Sequence, residues 1–133
     1  MKRIMVDMSA TILHHGHVRL LAKASEYGQV VVALTSDSEI EMKKGYTPEI
    51  AFEERREILE SIKYVDEVIS SPWLIDEDFL DLHNIDYLVH GHDNSNPVAK
   101  EKLIIFPRTE GVSSTKIRSA VLSAVAKQIL VKK

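Results

Sequence analysis

The chain has 133 residues, of which 44% are hydrophobic and 28% charged, a composition typical of a globular domain with one core. It contains no cysteine, which excludes disulfides, thiolate metal sites, iron–sulfur clusters and a cysteine nucleophile. The net charge of −3 offers no basic surface for non-specific nucleic-acid binding, and no apolar run approaches the length of a membrane span. We therefore expect a single domain over residues 1–133, without nucleic-acid or membrane partners. No signal peptide is expected, and the expected location is the cytoplasm.

Short apolar runs alternate with amphipathic stretches along the chain. The runs predict five β-strands, at residues 3–6, 30–34, 65–69, 87–89 and 103–106. Helices are predicted at residues 18–27, 52–62, 75–82 and 113–127, the last of them starting at a Ser/Thr cluster. The breakers in residues 43–48 (KKGYTP) predict a polar loop. Strands separated by helices predict an α/β fold with a Rossmann-like, doubly wound, parallel five-stranded sheet.

In a doubly wound sheet, ligands bind beyond the carboxyl ends of the strands. The segments to inspect are therefore residues 7–17, 35–47, 90–96 and 107–115, which follow four of the predicted strands. Five of the six histidines and most Ser/Thr clusters fall in these segments. We expect the chemistry of the protein to lie there.

The first candidate is His14-His15-Gly16-His17, at the junction of a loop and a helix. A helix N-terminus attracts phosphate through unpaired N–H groups and its dipole, and Gly16 would let the backbone approach a bulky anion. His14 and His17 are three residues apart, so both imidazoles could stabilise the charge that develops in phosphoryl or nucleotidyl transfer. A metal-chelating cluster and ordinary surface histidines are the alternatives.

The second candidate is the hydroxyl cluster Ser113-Ser114-Thr115 at the start of the last helix, which also suits phosphate. Lys116 and Arg118 add cations to its first turn, the unfavourable end for positive charge unless an anion binds there. A simple N-cap beside solvated basic residues is the alternative.

Other candidates lie in the remaining loops. Lys43 and Lys44 could close over a polyphosphate as point charges, or belong to a solvated loop. His92 could bind a phosphate-bearing substrate, and Asp93 a ribose hydroxyl or a metal. The run Glu53-Glu54-Arg55-Arg56-Glu57 has the composition of a solvated helix face. Together the residues predict a nucleotide or phosphate ester as ligand, bound between two helix starts.

These residues resemble a family. His14-His15-Gly16-His17 matches the HxGH signature of the small nucleotidyltransferases, and residues 112–118 match their second signature, I-S-[ST]-T-x-[IL]-[RK]. Residues 54–69, and Arg108-Thr109-Glu110-Gly111 before the second signature, are similar to glycerol-3-phosphate cytidylyltransferases. The resemblance extends from about residue 2 to residue 118 and is specific to the cytidylyltransferase branch.

The resemblance implies a Mg²⁺-dependent reaction in which CTP and a small phosphate-bearing acceptor give a CDP-linked product and pyrophosphate. By the same resemblance, His14, His17, Lys43, Lys44 and Arg108 are expected to be catalytic. Residues expected to bind the nucleotide are Ser9, Gly16, Asp93, Thr109, Ser113, Ser114 and Thr115. Arg55 and His92 are expected to serve the acceptor, with Arg55 near a homodimer interface, and no metal site built from protein ligands is expected.

Two stretches depart from the family pattern. The family usually has G-T-F-D before HxGH, whereas this chain has Met8-Ser9-Ala10-Thr11, in which Thr11 replaces the acid. The M-S-A form resembles cytidylyltransferase domains of phosphonate biosynthesis. The family's G-D-D-W becomes Gly91-His92-Asp93-Asn94, in a loop that helps to bind the acceptor. Glycerol 3-phosphate, a phosphonate, a phosphosugar or another alkyl phosphate therefore stays open as acceptor.

Three alternative functions also stay open. An adenylyltransferase using ATP shares the second signature, and only residues 108–111 favour CTP. A catalytically silent nucleotide-binding regulator would account for the departures at Thr11 and His92. A histidine-based metal protein is the third alternative.

Overall fold

The computed structural model describes residues 1–91, 95–107 and 109–132. In these residues the strands are β1 Arg3–Met8, β2 Gln29–Thr35, β3 Glu67–Ser71, β4 Tyr87–Gly91 and β5 Leu103–Phe106. The α-helices are α1 His15–Ser25, α2 Asp37–Lys44, α3 Phe52–Glu60, α4 Glu77–Leu82 and α5 Ser114–Lys132. A short 3₁₀ helix, Lys100–Lys102, precedes β5.

The five strands form one parallel sheet in the order β3-β2-β1-β4-β5. The chain builds outward from β1 through β2 to β3, then crosses back to place β4 and β5 on the other side of β1. The order therefore reverses between β1 and β4, and a crevice is expected beyond their carboxyl ends. The predicted α/β class and parallel five-stranded sheet are confirmed.

Hydrophobic residues pack on both faces of the sheet because every strand is apolar at alternate and often successive positions. One face buries Ile4 and Val6 together with α1 and α3 residues. The opposite face buries Met5 and Val31 against Ile75 of the loop before α4 and Leu80 of that helix. Because both faces of the sheet are covered, a ligand site is expected at the edge where the strands end.

Gly28 determines how β2 begins beside β1. A Cβ at this position would lie 2.2 Å from the Lys2 carbonyl oxygen, closer than any side chain permits. The same carbonyl accepts a hydrogen bond from the Gln29 N–H at 2.8 Å. Glycine is therefore required for the close pairing of the first two strands.

The segment after β2 differs from its prediction. Residues 43 and 44, expected in a polar loop, form the last turn of α2. The Ser36 hydroxyl caps this helix by accepting from the Glu39 N–H, and Gly45 ends it with a φ of 76°. The loop prediction holds for residues 45–48 and was wrong for residues 43 and 44. The helix was missed because its eight residues have little apolar periodicity, although its cap and terminal glycine are correct helix signals.

Helix α5 is longer than predicted, and only its beginning lies against the body of the molecule. Residues 119–131 are all exposed, including Leu122 and Leu130. In the part of the chain that the structure covers, no helix combines the length and hydropathy needed to cross a membrane.

Candidate active site

A cavity of about 460 Å³ lies at the carboxyl edge of the sheet, where strand order reverses. The ends of β1, β4 and β5 and the starts of α1 and α5 surround it. Its lining includes Asp7, Ser9, Thr11, His14, Gly16, His17, Arg19, Lys23, Lys44, Trp73, His90, Phe106, Thr109, Ser113, Ser114 and Thr115. The two candidate segments of the sequence therefore meet at one cavity.

His14 and His17 form the start of α1 as a reciprocal cap. The His14 Nδ1 accepts a hydrogen bond from the Gly16 N–H at 3.1 Å, and the His17 Nδ1 accepts from the His14 N–H at 3.1 Å. The two ring centroids are 3.9 Å apart. Both imidazoles are thus held by the helix backbone, in the manner in which Ser and Glu side chains cap other helices.

These backbone contacts select one tautomer of each ring. An Nδ1 that accepts a hydrogen bond carries no proton, so the neutral ring carries its proton on Nε2. Burial, with repulsion from His14, lowers the pKa of His17 to about 4, and burial and the neighbouring His15 lower the pKa of His14. At neutral pH the pair therefore presents two N–H donors rather than two positive charges, which suits stabilisation of transferring phosphate oxygens.

Gly16 is required by the His14 ring. A Cβ on Gly16 would lie 2.8 Å from Cε1 and 2.9 Å from Nδ1 of His14, and 3.3 Å from Cγ1 of Val112. Any larger residue would displace the capping imidazole or the segment before α5. Gly16 lines the cavity, where it was expected to bind nucleotide, and the structure adds this second reason for glycine.

The turn between β1 and α1 is held in a strained conformation. Ala10 has a φ of 47°, in the left-handed region that non-glycine residues rarely adopt. Ser9 before it and Thr11 after it line the cavity, and Thr11 is buried. The turn aims both hydroxyl-bearing residues at the cavity, and its strain must be offset by the contacts that hold it.

At the start of α5 the hydroxyls of Ser113, Ser114 and Thr115 differ in their hydrogen bonds. The Ser113 Oγ accepts from the Lys116 N–H at 3.0 Å, so Ser113 is the N-cap, with its own proton still available for a ligand. The Ser114 hydroxyl donates to the Ile12 carbonyl at 2.9 Å and so joins α5 to the turn after β1. Thr115 is exposed at the cavity. Ser113 and Thr115 are thus better placed to donate to a phosphate than Ser114.

Arg55 lies beneath the cavity and is fully buried, so the expectation of a solvated helix face is wrong at this position. Its guanidinium donates to the carbonyls of Ser9 and Thr35, where β1 and β2 end, and pairs with Asp37 at 2.6 Å. Its Nε donates to the Ile50 carbonyl at 3.0 Å. In this arrangement Arg55 supports the strained turn from below and does not line the cavity, where an acceptor would bind.

The two lysines of α2 are both exposed, but their positions differ. Lys44 lines the cavity, with its Nζ 5.6 Å from the centre of the Trp73 ring. Lys43 is not among the residues that line the cavity. Lys44 is therefore the better placed of the pair to approach a bound phosphate.

A polar network that sequence reasoning missed joins the ends of β1 and β4. Nδ1 of His90 is paired with Asp7 Oδ1, and the Asn96 amide donates to Asp7 Oδ2 at 3.1 Å. The Asn96 side-chain oxygen accepts from the Ile75 N–H at 2.8 Å. Asp7 and His90 both line the cavity. Their positions directly after the predicted strands 3–6 and 87–89 were the available signal, since parallel strand ends meet at one edge.

The cavity lining contains a second set of residues that sequence reasoning missed. Arg19 and Lys23, one turn apart on α1, both line it, and the Lys23 Nζ lies 5.6 Å from the centre of the Phe106 ring. Thr109, expected to bind nucleotide, also lines the cavity. Three other predicted site residues, Arg108, His92 and Asp93, lie outside the described residues.

The donor groups of the described residues do not form a metal site. Among the residues that the structure describes, no group of three or more His, Asp or Glu side chains could hold a metal ion. In the histidine cluster, Nδ1 of both His14 and His17 is occupied by a backbone N–H. The geometry thus favours the anion-binding interpretation of the cluster over a chelating one.

Comparison with known proteins agrees with this geometry. The sequence pattern of the cytidylyltransferase-like family matches residues 9–120, which include both helix starts. The chain belongs to this family. The resemblance found in the motifs, and the enzyme class that it implied, are thereby confirmed.

Three curated relatives match more than nine-tenths of this chain, and two of them do so over almost their own whole length. A glycerol-3-phosphate cytidylyltransferase of Staphylococcus aureus is 38% identical over 96% of this chain and 100% of its own length. One of Bacillus subtilis is 36% identical over 91% of this chain and 98% of its own length. An ethanolamine-phosphate cytidylyltransferase of Arabidopsis thaliana is 37% identical over 92% of this chain but only 33% of its own length.

A solved structure shows the same fold. The lipopolysaccharide core biosynthesis protein of Thermoplasma volcanium superposes with a TM-score of 0.68 over 82% of this chain and 98% of its own. Its sequence is 20% identical to this one, so the likeness concerns the fold alone.

Proposed function

We propose that this cytidylyltransferase-like protein transfers CMP from CTP to a small acceptor that carries a phosphate or phosphonate, with release of pyrophosphate. The observation that carries the proposal is the convergence of the imidazole pair of α1 and the hydroxyl-rich start of α5 on one cavity. The relatives of similar length, two glycerol-3-phosphate cytidylyltransferases, support it.

The reaction needs little covalent chemistry from the protein. An oxygen of the acceptor phosphate attacks the α-phosphorus of CTP, the new P–O bond forms, and the bond to the pyrophosphate oxygen breaks. Because the attacking oxygen is already ionised, no general base is required, and catalysis rests on positioning and charge stabilisation. The Nε2–H groups of His14 and His17 are the fixed donors, and Lys44 and the N-terminus of α5 add positive potential.

We propose that Mg²⁺ binds together with the nucleotide. Mg²⁺ commonly binds through one or two carboxylates together with substrate phosphates, and Asp7 is the carboxylate among the described cavity residues. The ion would neutralise charge on the triphosphate as pyrophosphate leaves. In this proposal the protein residues orient the phosphates.

The acceptor is proposed to bind near Asp7, Lys44 and Trp73. Lys44 can pair with its phosphate, whereas an acid and an indole in the same cavity suit a hydroxyl or an amine on the rest of the molecule. The relatives include enzymes named for glycerol 3-phosphate and for ethanolamine phosphate. We therefore propose a short phospho-alcohol, its phosphono counterpart included.

An acceptor screen tests the proposal. Purified protein with CTP and Mg²⁺ is mixed in turn with glycerol 3-phosphate, ethanolamine phosphate and 2-aminoethylphosphonate, and pyrophosphate release is measured. We expect release with at least one acceptor and none without acceptor. Turnover with ATP in place of CTP would favour the adenylyltransferase, and CTP binding without product from any acceptor would favour the silent regulator.

We also propose that the protein is a cytoplasmic homodimer that uses the far half of α5. Six exposed apolar residues lie along that half: Val121, Leu122, Val125, Ile129, Leu130 and Val131. Burial of these side chains against a second copy would remove apolar surface from water. Light scattering across a concentration series measures the mass directly.

A further inference from the structure

An ion pair outside the cavity lining connects segments that serve the cavity. Arg118, in the second turn of α5, donates from Nε and from one terminal nitrogen to the two carboxylate oxygens of Glu49, the latter bond being 2.8 Å. Its guanidinium also lies 4.8 Å from the centre of the Tyr46 ring. We call these three residues the Arg118 cluster.

The Arg118 cluster joins three segments of the chain. Tyr46 and Glu49 belong to the connection between α2, which ends with Lys44, and α3, which carries Arg55. Arg118 also donates to the buried Thr11 hydroxyl at 3.2 Å, in the turn that leads to the histidines. The positions of Lys44, of the α5 start and of the histidine turn are thus linked through one guanidinium.

Helix α5 depends on such contacts for its orientation. Residues 119–131 are exposed, so the body of the molecule holds the helix only near its start. There Ser114 and Arg118, one turn apart and on the same face, bond to the adjacent residues Ile12 and Thr11. Without Glu49 and Tyr46, the α5 start would be attached to the histidine turn but not to the α2–α3 connection.

The geometry of the Arg118–Glu49 pair suits positioning of the two segments more than stabilisation of the fold. Exposed ion pairs contribute little to the free energy of unfolding, and the Glu49 side chain is 46% exposed. A two-pronged Arg–carboxylate contact with an aromatic ring against it nevertheless fixes direction and distance. The hydrogen bonds from Arg118 lower the pKa of Glu49, so the pair stays ionised at neutral pH.

We propose that Glu49 is a positioning residue for nucleotidyl transfer: through Arg118 it sets the separation between Lys44 and the α5 start, across which the phosphates of CTP and the acceptor must lie. This inference rests on the proposed function. Misplacement of binding groups by about 1 Å can cost as much as 10²-fold in rate, which makes an exposed contact important for turnover.

The test is Glu49→Gln, which removes the charge and leaves the side-chain size nearly unchanged. Its matched control is Glu60→Gln, which removes the acid of an exposed pair with Arg56, 2.7 Å long, on the outer face of α3. For Glu49→Gln we expect about a 10-fold loss in kcat/KM for CTP, about 10-fold weaker CTP binding by calorimetry, and a Tm within about 2 °C of the wild type. For Glu60→Gln we expect no change in any of the three.

Glu49→Asp keeps the charge and should recover part of the lost kcat/KM. The inference is overturned if Glu49→Gln binds CTP and turns over like the wild type, if Glu60→Gln loses as much, or if the loss follows a fall in Tm. Should the wild type bind CTP without turnover, the proposed function fails, and the calorimetric comparison alone still decides the role of Glu49.

Discussion

Two regions of the molecule differ in which side chains they bury. One is the corner where β1 and β2 end, and the other is the far half of α5, residues 119–131. At the corner a fully buried Arg55 donates to the Ser9 carbonyl, next to the left-handed Ala10, and backbone N–H groups hold the two desolvated imidazoles. On α5, Leu122 and Leu130 are each 71% exposed. One region buries polar groups and the other exposes apolar ones, each against the usual preference of its residues.

The difference indicates where function resides. A buried charge persists only where bonded groups offset its desolvation, and strained backbone persists only where its surroundings hold it. The corner meets both conditions and borders the cavity. Residues 119–131 of α5 are all exposed, so their apolar side chains are available for a partner surface.

The largest effect is expected from the histidines of the corner. His17→Ala removes one fixed donor and should lower kcat by about 10²–10³, because such donors act mainly in the transition state. His15→Ala is the matched control, since His15 is the exposed histidine of the same motif. Steady-state kinetics with CTP and the acceptor found in the screen measure both; an unchanged kcat for His17→Ala would remove the assigned role.

The adjacent arginines of α3 give the next comparison. Arg55→Ala leaves the carbonyls of Ser9 and Thr35 without their donor and should cost about 3 kcal/mol of unfolding free energy. Arg56→Ala removes only an exposed pair with Glu60 and should cost less than about 0.5 kcal/mol. Urea denaturation measures both values. Equal losses would show that the buried cation is not what holds the corner.

Acid should weaken the corner in a defined pH range. The pKa of His17 is lowered to about 4 from its ordinary 6.5, so between these values the unfolded chain binds a proton that the folded chain does not. The unfolding free energy contributed by His17 is therefore complete above about pH 6.5 and falls towards pH 4, by on the order of 3 kcal/mol.

Urea denaturation of the wild type and of His17→Gln at pH 7.5, 5.5 and 4.5 isolates this contribution, because the other titrating groups are common to both proteins. We expect the difference between them to shrink as the pH falls. A difference independent of pH would contradict the lowered pKa.

The smallest effect on stability is expected on α5. Leu130→Glu alters a side chain that is 71% exposed and should change the unfolding free energy by less than about 0.5 kcal/mol at low protein concentration. At high concentration, light scattering should report the mass of one chain for the variant and of two for the wild type. A stability loss above about 1 kcal/mol at low concentration would show that the far half packs on its own chain.

Particular elements show how far sequence reasoning reached. Each of the five predicted strands is confirmed. Short apolar runs such as residues 30–34 can be recognised from the local sequence alone. Helix α2 was missed because its pattern is polar, and its cap and terminal glycine are short signals. The cavity was correctly placed by the rule for parallel strand ends, whereas the Asp7–His90 network within it was not found.

The sequence by itself determined the five strands, four of the five described α-helices, the family and the two motifs that meet at the cavity, because periodicity and motif spacing lie along the chain. Only the tertiary structure decided which of two adjacent arginines is buried, which serine hydroxyl caps a helix, and which carboxylate pairs with Arg118. The contacts behind those decisions join residues 46, 69 and 102 positions apart, as in Ser9–Arg55, Glu49–Arg118 and Ile12–Ser114. Local propensity says nothing about such partners, because desolvation and hydrogen-bond pairing are set only once the chain is packed.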